Sequence, residues 1–184
     1  MENVLSQIKV QSNRRINNYL SDIFFILFGT TVLFLSAYVY IPVPGNPVPI
    51  TLQVFSVLMI GAIFGTRKGI MTTSLYAILG SLGLPVFSNA SGGLFYLAGP
   101  TGGYILGFIL AIPIIGYFYT RTNKFIALLS GLIIIYFIGW LRLTMFLNGD
   151  CIKAFYLGVS TFIPFDIVKT FLAYIILKNI KKPT

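Results

Sequence analysis

The sequence is poor in charged residues. Only 9% of its 184 residues are charged and 57% are apolar, whereas roughly a quarter of an average soluble domain is charged. So few charges cannot cover the surface of a folded soluble domain of this size, but a protein surrounded by lipid does not need such a cover. We therefore predict an integral membrane protein. A soluble enzyme, a nucleic-acid-binding protein and a disordered chain are poor interpretations despite the net charge of +9.

Histidine is absent, and cysteine occurs once, as Cys151. These two absences exclude an internal disulfide, a His-based catalytic triad and the common zinc and haem ligand sets. The sequence also lacks the phosphate-binding pattern G-x-x-x-x-G-K-[ST], so this chain has no nucleotide-driven motor of that type. We expect no cofactor and no metal. A small membrane hydrolase would need Lys169 beside Ser160 or Thr161, and it is the weakest alternative.

Two long uncharged runs, residues 23–66 and 69–120, predict the architecture. Each is about twice the ~20 residues that a helix needs to cross a bilayer, so each is expected to hold two spans. Proline and glycine cluster within both runs, at 42–49 and 83–100, and mark the breaks. We predict an all-α bundle of six transmembrane helices, at 22–41, 51–66, 68–82, 101–120, 124–146 and from about Pro164 to 178.

Lysine and arginine are distributed unequally between the two ends of this bundle. The outer loops 42–50 and 83–100 have no charge, and 147–163 holds Asp150 and Lys153, which cancel. The opposite end receives ten of the 13 basic residues: Lys9, Arg14, Arg15, Arg67, Lys68, Arg121, Lys124, Lys178, Lys181 and Lys182. The positive-inside rule therefore predicts that both termini are cytoplasmic.

The same pattern divides the chain into a cytoplasmic leader at 1–21, a membrane domain at 22–178 and a basic cytoplasmic tail at 179–184. We expect no cleavable signal peptide, because the first apolar run follows a long polar leader and is long enough to span the bilayer. Arg142 is expected near the outer interface, where its side chain would reach lipid headgroups.

Asp166 and Lys169 lie inside the last apolar stretch and, three residues apart, on one face of a helix. One interpretation is an internal ion pair that only neutralises itself. The other is a polar site facing a cavity, the usual role of ionisable residues within a membrane span. With Pro164 in the first helical turn, Asp166 would lie near the positive end of the helix dipole.

The uncharged outer loops have compositions suited to a binding site. Repeated prolines in 42–50 predict a stiff, extended strap, followed by Thr51 and Gln53 as hydrogen-bonding groups. The loop 83–100 mixes aromatic residues with serine, asparagine and glycine, a composition suited to an apolar ligand that needs a few hydrogen bonds. Alternatively, this loop rests on the bilayer surface and its aromatic residues belong to the interfacial belt.

Several short motifs resemble the BioY family, the biotin-specific S-components of energy-coupling-factor (ECF) transporters. The resemblance extends from about Ala37 to Lys169 in an ordered set of motifs. They are Pro42-Val-Pro44, Pro49-Ile-Thr-Leu-Gln-Val-Phe55, Gly61-Ala-Ile-Phe-Gly-Thr-Arg-Lys-Gly69, Tyr76, Gly80 to Phe87, Ser91-Gly-Gly93, Gly99-Pro-Thr-Gly-Gly-Tyr104, Gly107-Phe108 and Pro164-Phe-Asp-Ile-Val-Lys169.

This resemblance implies a six-helix bundle in the cell membrane with a biotin site under the outer loops. It also implies two kinds of partner besides biotin: an ECF transmembrane coupling protein and two cytoplasmic ATPase subunits. The small-residue pattern by which S-components contact the coupling protein is partly present on helix one, as Gly29, Leu33 and Ala37.

Biotin has two ureido N–H donors, a ureido carbonyl, an apolar thiolane ring and a carboxylate, so its site needs an acceptor, a donor, an apolar wall and a cation. Asp166 is assigned to accept from a ureido N–H and Asn89 to donate to the ureido carbonyl. Lys169 is assigned to either the carbonyl or the carboxylate. Five further residues complete the candidate site: Tyr96, Phe87 and Gly93 around the ring, with Gln53 and Thr51 at the lid.

Two transport mechanisms are therefore open. A substrate-capture subunit of an ATP-driven importer is the main hypothesis, and a stand-alone secondary carrier for biotin is the alternative. The two halves of the chain share no repeated motif, which disfavours the two-repeat design of many secondary carriers.

Overall fold

The structure is a computed structural model that describes residues 2–180, and side chains from residue 16 onward. Five helical stretches in this range are long and apolar enough to cross a membrane: Ile16–Tyr38, Gln53–Ser81, Gly102–Arg121, Lys124–Phe146 and Cys151–Leu177. The elements in chain order are α1 (Glu2–Tyr38), β1 (Tyr40–Ile41), β2 (Ile50–Thr51), α2 (Gln53–Ser81), a 3₁₀ helix (Ser88–Ala90), α3 (Leu94–Ala98), α4 (Gly102–Arg121), α5 (Lys124–Phe146), α6 (Cys151–Phe155), a π-helix (Tyr156–Ser160) and α7 (Ile163–Leu177).

Helix α2 is interrupted at Gly65, whose backbone has φ +69° and lies outside the helical region. The Nε2 of Gln53 lies 2.6 Å from the Oη of Tyr76. In a straight helix these two residues would be about 35 Å apart, at roughly 1.5 Å per residue. The two arms of α2 therefore run antiparallel, and they coincide with the predicted short helices at 51–66 and 68–82. Glycine permits this reversal because a side chain is strained at positive φ.

The first helix begins earlier than predicted. Helix α1 starts at Glu2, so the segment 1–21, which stays a predicted cytoplasmic leader, is helical from its second residue. The reason is local, because this segment contains neither proline nor glycine to stop a helix that continues into the apolar stretch. Helix α1 ends at Tyr38, three residues before its predicted end at 41.

The segment predicted as a third outer loop, 147–163, is mostly helical. It contains α6 and the π-helix, and only residues 147–150 and 161–162 lie between helices. Asp150 starts α6, because its carboxylate accepts a hydrogen bond from the backbone N–H of Lys153 at 2.9 Å. Pro164 lies in the first turn of α7, as expected, and α7 ends at Leu177.

The proline-rich strap is a hairpin, not a single extended segment. Strands β1 and β2 pair antiparallel, with Tyr40 opposite Thr51 and Ile41 opposite Ile50. The turn between them is closed by a hydrogen bond from Asn46 N to Val43 O at 3.0 Å. The amide Nδ2 of Asn46 donates to Leu157 O at 2.7 Å, which connects the strap to the π-helix.

The basic loops come together at one end of the bundle. Lys68 forms an ion pair with Asp22 at 2.7 Å, joining the turn of α2 to α1. Lys124, at the start of α5, donates to Leu177 O at 2.8 Å at the end of α7. The all-α membrane fold is as predicted, whereas the number of spans and the cytoplasmic position of the termini stay predictions.

The small residues of α1 face the interior of the protein. Leu33 and Ala37 are fully buried, and a side chain at Gly29 would collide with Phe64 and Thr72 of α2. The pattern that the resemblance assigns to a partner surface is therefore used for packing between α1 and α2 in this chain.

Candidate functional site

The candidate site is centred on α7, where Asp166 and Lys169 form an ion pair. The Nζ of Lys169 lies 2.7 Å from Oδ1 of Asp166. The side chain of Asp166 is 3% exposed and that of Lys169 is 14% exposed. Charges buried this far require further hydrogen bonds, because an uncompensated buried charge costs several kcal/mol.

Helix α5 and strand β2 supply these hydrogen bonds. Tyr136 of α5 donates its hydroxyl to Oδ2 of Asp166 at 2.8 Å. Lys169 donates a second hydrogen bond to the backbone carbonyl of Thr51 at 2.6 Å, at the end of β2. Tyr136 is not among the site residues predicted from the sequence. A tyrosine in the middle of an otherwise apolar span was the available signal, since a buried hydroxyl needs a partner.

A cavity beside this pair contains six of the eight predicted site residues: Asp166, Lys169, Tyr96, Phe87, Gln53 and Thr51. Most of its other lining residues are apolar or aromatic, with a few hydroxyl groups among them. These residues are Val48, Pro49, Val54, Ser88, Thr101, Tyr104, Ile105, Phe108, Tyr136 and Phe162. The strap, the loop 83–100 and helices α2, α4, α5 and α7 all contribute to the cavity.

Aromatic rings form one wall of the cavity. The ring of Phe87 stacks on that of Tyr96, with centroids 5.0 Å apart and an angle of 17° between the planes. The ring of Tyr76 also packs against that of Phe87, in a T-shaped arrangement with centroids 5.5 Å apart. The hydroxyl of Tyr96 shares a 2.6 Å hydrogen bond with Oγ of Ser88. A side chain at Gly80 would collide with the ring of Phe87, so glycine is needed there for the wall to form.

Gln53 and Tyr76 continue this wall toward α2. The Nε2 of Gln53 donates to Oη of Tyr76 at 2.6 Å, and that hydroxyl donates to Val86 O at 2.9 Å. This chain of hydrogen bonds connects the two arms of α2 to the loop 83–100. Gln53 is the first residue of α2 and is only 6% exposed. Because it also lines the inner cavity, it forms part of the cavity wall.

Asn89 and Gly93 lie outside the inner cavity. Asn89 lines a second, outer cavity, and its Oδ1 accepts a hydrogen bond from Oη of Tyr40 at 2.9 Å. Gly93 lines neither cavity. It begins α3 at φ +94°, and its N–H donates to Gly80 O at 2.7 Å. Gly93 therefore shapes the loop, and its effect on the cavities is indirect.

The two cavities share a wall. Both are lined by Pro49 of the strap and by three residues of the second loop region, Ser88, Tyr96 and Thr101. The outer cavity has no charged lining residue and offers neutral donors and acceptors instead, namely Tyr40, Asn46, Asn89 and Ser91. Charge is thus confined to the inner cavity, and polar neutral groups surround the outer one.

The arrangement required for a Ser-Lys hydrolase is absent among the described contacts. Ser160 is exposed on the π-helix, and the hydroxyl of Thr161 donates to Tyr156 O at 2.8 Å. Lys169 instead donates to Asp166 and to Thr51 O. The site can therefore hold a ligand by hydrogen bonds and apolar contact, but it presents no activated nucleophile.

Comparison with known proteins gives consistent matches over nearly the whole chain. The profile of the BioY family matches residues 7–184. A BioY protein of Pyrococcus horikoshii is 44% identical over 139 residues, which are 76% of this chain and 84% of that protein. A biotin transporter BioY of Thermotoga maritima is 40% identical over 147 residues, with coverages of 78% and 86%.

A solved structure has the same arrangement of helices. It is the S-component for biotin from an ECF-type ABC transporter, and it superposes with a TM-score of 0.80 at 27% identity. The match covers 88% of this chain and 90% of the other.

Proposed function

The chain belongs to the BioY family, and we propose that it is the high-affinity biotin-binding subunit of a vitamin importer. Its family and relatives are transport proteins, so it is a multi-pass membrane protein and not an enzyme. The observation that supports biotin as the ligand is the buried Asp166–Lys169 pair at the end of an aromatic cavity. This cavity combines an acceptor, a donor and an apolar wall, which are the features that biotin requires.

We place the ureido ring in the inner cavity. A carboxylate offers about four acceptor positions, so Asp166 retains capacity for a ureido N–H while it accepts from Tyr136 and Lys169. The thiolane ring is apolar and would lie against Phe87 and Tyr96. A ligand without the ureido N–H groups would leave Asp166 with unused acceptors in a buried site, which disfavours its binding.

Lys169 is proposed to bind the ureido carbonyl and not the carboxylate. An ammonium group has three donors, and two of them are used by Asp166 and by Thr51 O. The third donor can reach a ligand atom only within the inner cavity, because Lys169 lines the inner cavity and does not line the outer one.

The valerate chain would then extend into the outer cavity. Asn89 lies there, so its amide is better placed for the carboxylate than for the ureido carbonyl, the partner assigned from the sequence. Asn46 and Ser91 line the same cavity and supply further neutral hydrogen-bonding groups. Gln53 and Thr51 would hold the start of α2 against the ring.

The transport partners proposed for this chain are an ECF transmembrane coupling protein and two cytoplasmic ATPases, in the plasma membrane. Two observations support them. The chain lacks a P-loop of its own, and its structural relative is described as an S-component of an ECF-type ABC transporter. Since the small residues of α1 are buried, the contact with the coupling protein must use another surface of this chain.

Calorimetry tests the ligand. The detergent-purified protein should bind biotin tightly, desthiobiotin more weakly because it lacks the thiolane sulfur bridge, and unrelated vitamins not at all. Equal binding of biotin and an unrelated vitamin would contradict the proposed site.

Liposome uptake separates the importer subunit from the stand-alone carrier. The purified chain alone should bind biotin without concentrating it, whereas a secondary carrier would accumulate biotin in response to an ion gradient. Accumulation by this chain alone would favour the alternative.

A further inference from the structure

The sequence predicts that the side chain of Arg142 in α5 reaches lipid headgroups. In the structure it contacts a loop of the protein instead. Its Nη2 donates to the carbonyl of Ala98, and its Nε donates to Gly99 O at 3.4 Å. Both acceptors are backbone atoms at the end of α3, in the second outer loop. The approach is possible because α4 has a glycine at Gly103, where a side chain would collide with Arg142 and with Ile138 O.

Ala98 O is a carbonyl that a helix end leaves without an intrahelical donor, and Gly99 O, one residue further on, also accepts from Gly102 N at 3.4 Å. Helix α3 has only five residues, so almost all of its carbonyls are of this kind. A cation near the C-terminus of a helix also interacts favourably with the helix dipole. Arginine is suited to this role, because its planar group presents several donors in fixed directions.

Helix α3 matters to the site because it carries Tyr96, which lines both cavities. Its start is held by the hydrogen bond from Gly93 N to Gly80 O. Tyr96 itself is held by Ser88 and by stacking on Phe87. The end of α3 and the following residues Gly99 to Thr101 complete the outer cavity, and Arg142 contacts the chain at that point.

The guanidinium group has no acidic partner among the described side chains. The two ion pairs in that part of the chain are Asp22–Lys68 and Asp166–Lys169. The charge of Arg142 is therefore directed to the loop carbonyls. Lys153 is also predicted to lie at the outer end, and it is exposed, which makes it a matched control for charge without loop contact.

From these contacts we infer that Arg142 is a positioning residue for biotin binding: it fixes the second outer loop, and with it Tyr96, in the conformation that retains the ligand. This inference rests on the proposed function. It predicts that loss of Arg142 chiefly accelerates dissociation, because the ligand contacts are kept while the loop that covers them is released.

The test combines a kinetic measurement with one that needs no ligand. In a Cys151→Ser background, release of radiolabelled biotin is followed after addition of excess unlabelled biotin, for Arg142→Met, Arg142→Lys and Lys153→Met. A spin label at Phe95→Cys reports the mobility of α3 without biotin, since Phe95 is 95% exposed. Cys151 is replaced because it is exposed and would also be labelled.

We expect Arg142→Met to release biotin about tenfold faster, the ratio that corresponds to losing one charge-assisted hydrogen bond, and to increase the label's mobility. Arg142→Lys should show the same changes to a smaller extent, because it keeps the charge but loses the planar geometry. Lys153→Met should release biotin at a rate within about twofold of the parent, as for most surface substitutions.

Three results would overturn the inference. The first is that Arg142→Met releases biotin at the same rate as the parent and shows the same label mobility. The second is equal acceleration in Arg142→Met and Lys153→Met with Arg142→Lys like the parent, which would indicate general electrostatic attraction. The third is unchanged mobility in Arg142→Lys if Arg142→Met does not fold. A parent that binds no biotin would refute the proposed function instead, while the label would still test the loop contact.

Discussion

Two Asp–Lys ion pairs among the described side chains have equal length but different surroundings. Asp22–Lys68 joins α1 to α2 at the end with the basic loops, at 2.7 Å, and about a third of each side chain is exposed, 31% and 33%. Asp166–Lys169 also measures 2.7 Å, but its side chains are 3% and 14% exposed. Water can solvate the first pair, so its net contribution to stability is expected to be small, about 0 to 1 kcal/mol.

The second pair is stabilised by protein groups instead of water. Tyr136 and the carbonyl of Thr51 supply its additional hydrogen bonds, and a cavity opens beside it. The comparison teaches that distance alone does not identify a functional pair. Burial, additional partners and an adjoining cavity distinguish a pair suited to ligand binding from one that only joins two helices.

The sharpest test of the comparison asks which end of the bundle faces outward. In a Cys151→Ser background, a cysteine at Asn46 should react with an impermeant thiol reagent added to intact cells, and one at Asn123 should not. The expected difference is all-or-none, because the basic end is predicted to be cytoplasmic. Reversed labelling would place the Asp22–Lys68 end outside and the strap inside. The prediction that the site faces outward would then be wrong.

Replacing the aspartate of each pair should have unequal effects on binding. Asp166→Asn is expected to weaken biotin binding by about 1.5 to 3 kcal/mol, or tenfold and more, because one acceptor oxygen becomes a donor facing a ureido N–H. Asp22→Asn is the matched control and should bind within about twofold of the parent. Calorimetry measures both, and equal effects would show that burial does not mark the site.

The lysine of the buried pair separates the two ends of the ligand. Lys169→Met should weaken biotin and biotin methyl ester equally, by about 1 to 2 kcal/mol, if the lysine binds the ureido carbonyl. A larger loss for biotin than for the ester would mean that it binds the carboxylate. The double variant Asp166→Asn, Lys169→Met decides whether the pair is only structural: affinity within about twofold of the parent would place the ligand elsewhere.

The smallest expected effect concerns the hydroxyl that supports Asp166. Tyr136→Phe removes the donor to Oδ2 and should weaken biotin binding by about 0.5 to 1.5 kcal/mol, the usual net value of one hydrogen bond. Tyr119→Phe is the matched control, since the buried hydroxyl of Tyr119 has no hydrogen-bond partner in the described part of the chain. Equal affinities of the two variants would remove Tyr136 from the site.

The buried pair was predictable because it is local. Asp166 and Lys169 are three residues apart on one helix, and charge is rare in this chain, so spacing and composition together identified them. Their partners were not predictable in this way. Tyr136 is separated from Asp166 by 30 positions and Thr51 from Lys169 by 118, and hydrophobic periodicity within one helix carries no information about which helices pack together.

Arg142 and Asn89 show the same limit in the outer region. The sequence predicts polar and basic groups near the outer loops, but the partner of each depends on how the loop folds. The left-handed backbone at Asn89, with φ +58°, turns that residue toward the outer cavity and Tyr40. Arg142 meets Ala98 and Gly99 only because Gly103 lets α4 and α5 approach closely.

The sequence by itself determined that this is an all-α membrane protein of the BioY family, with charge concentrated at one end and one ion pair within its last helix. These properties follow from composition, from the length of apolar runs and from motifs that are contiguous along the chain. Only the tertiary structure decided that α2 reverses at Gly65, that the small residues of α1 face inward and that two cavities share the wall around Tyr96. Each of these depends on contacts between distant segments, which form when helices pack against one another and are not encoded in any single segment.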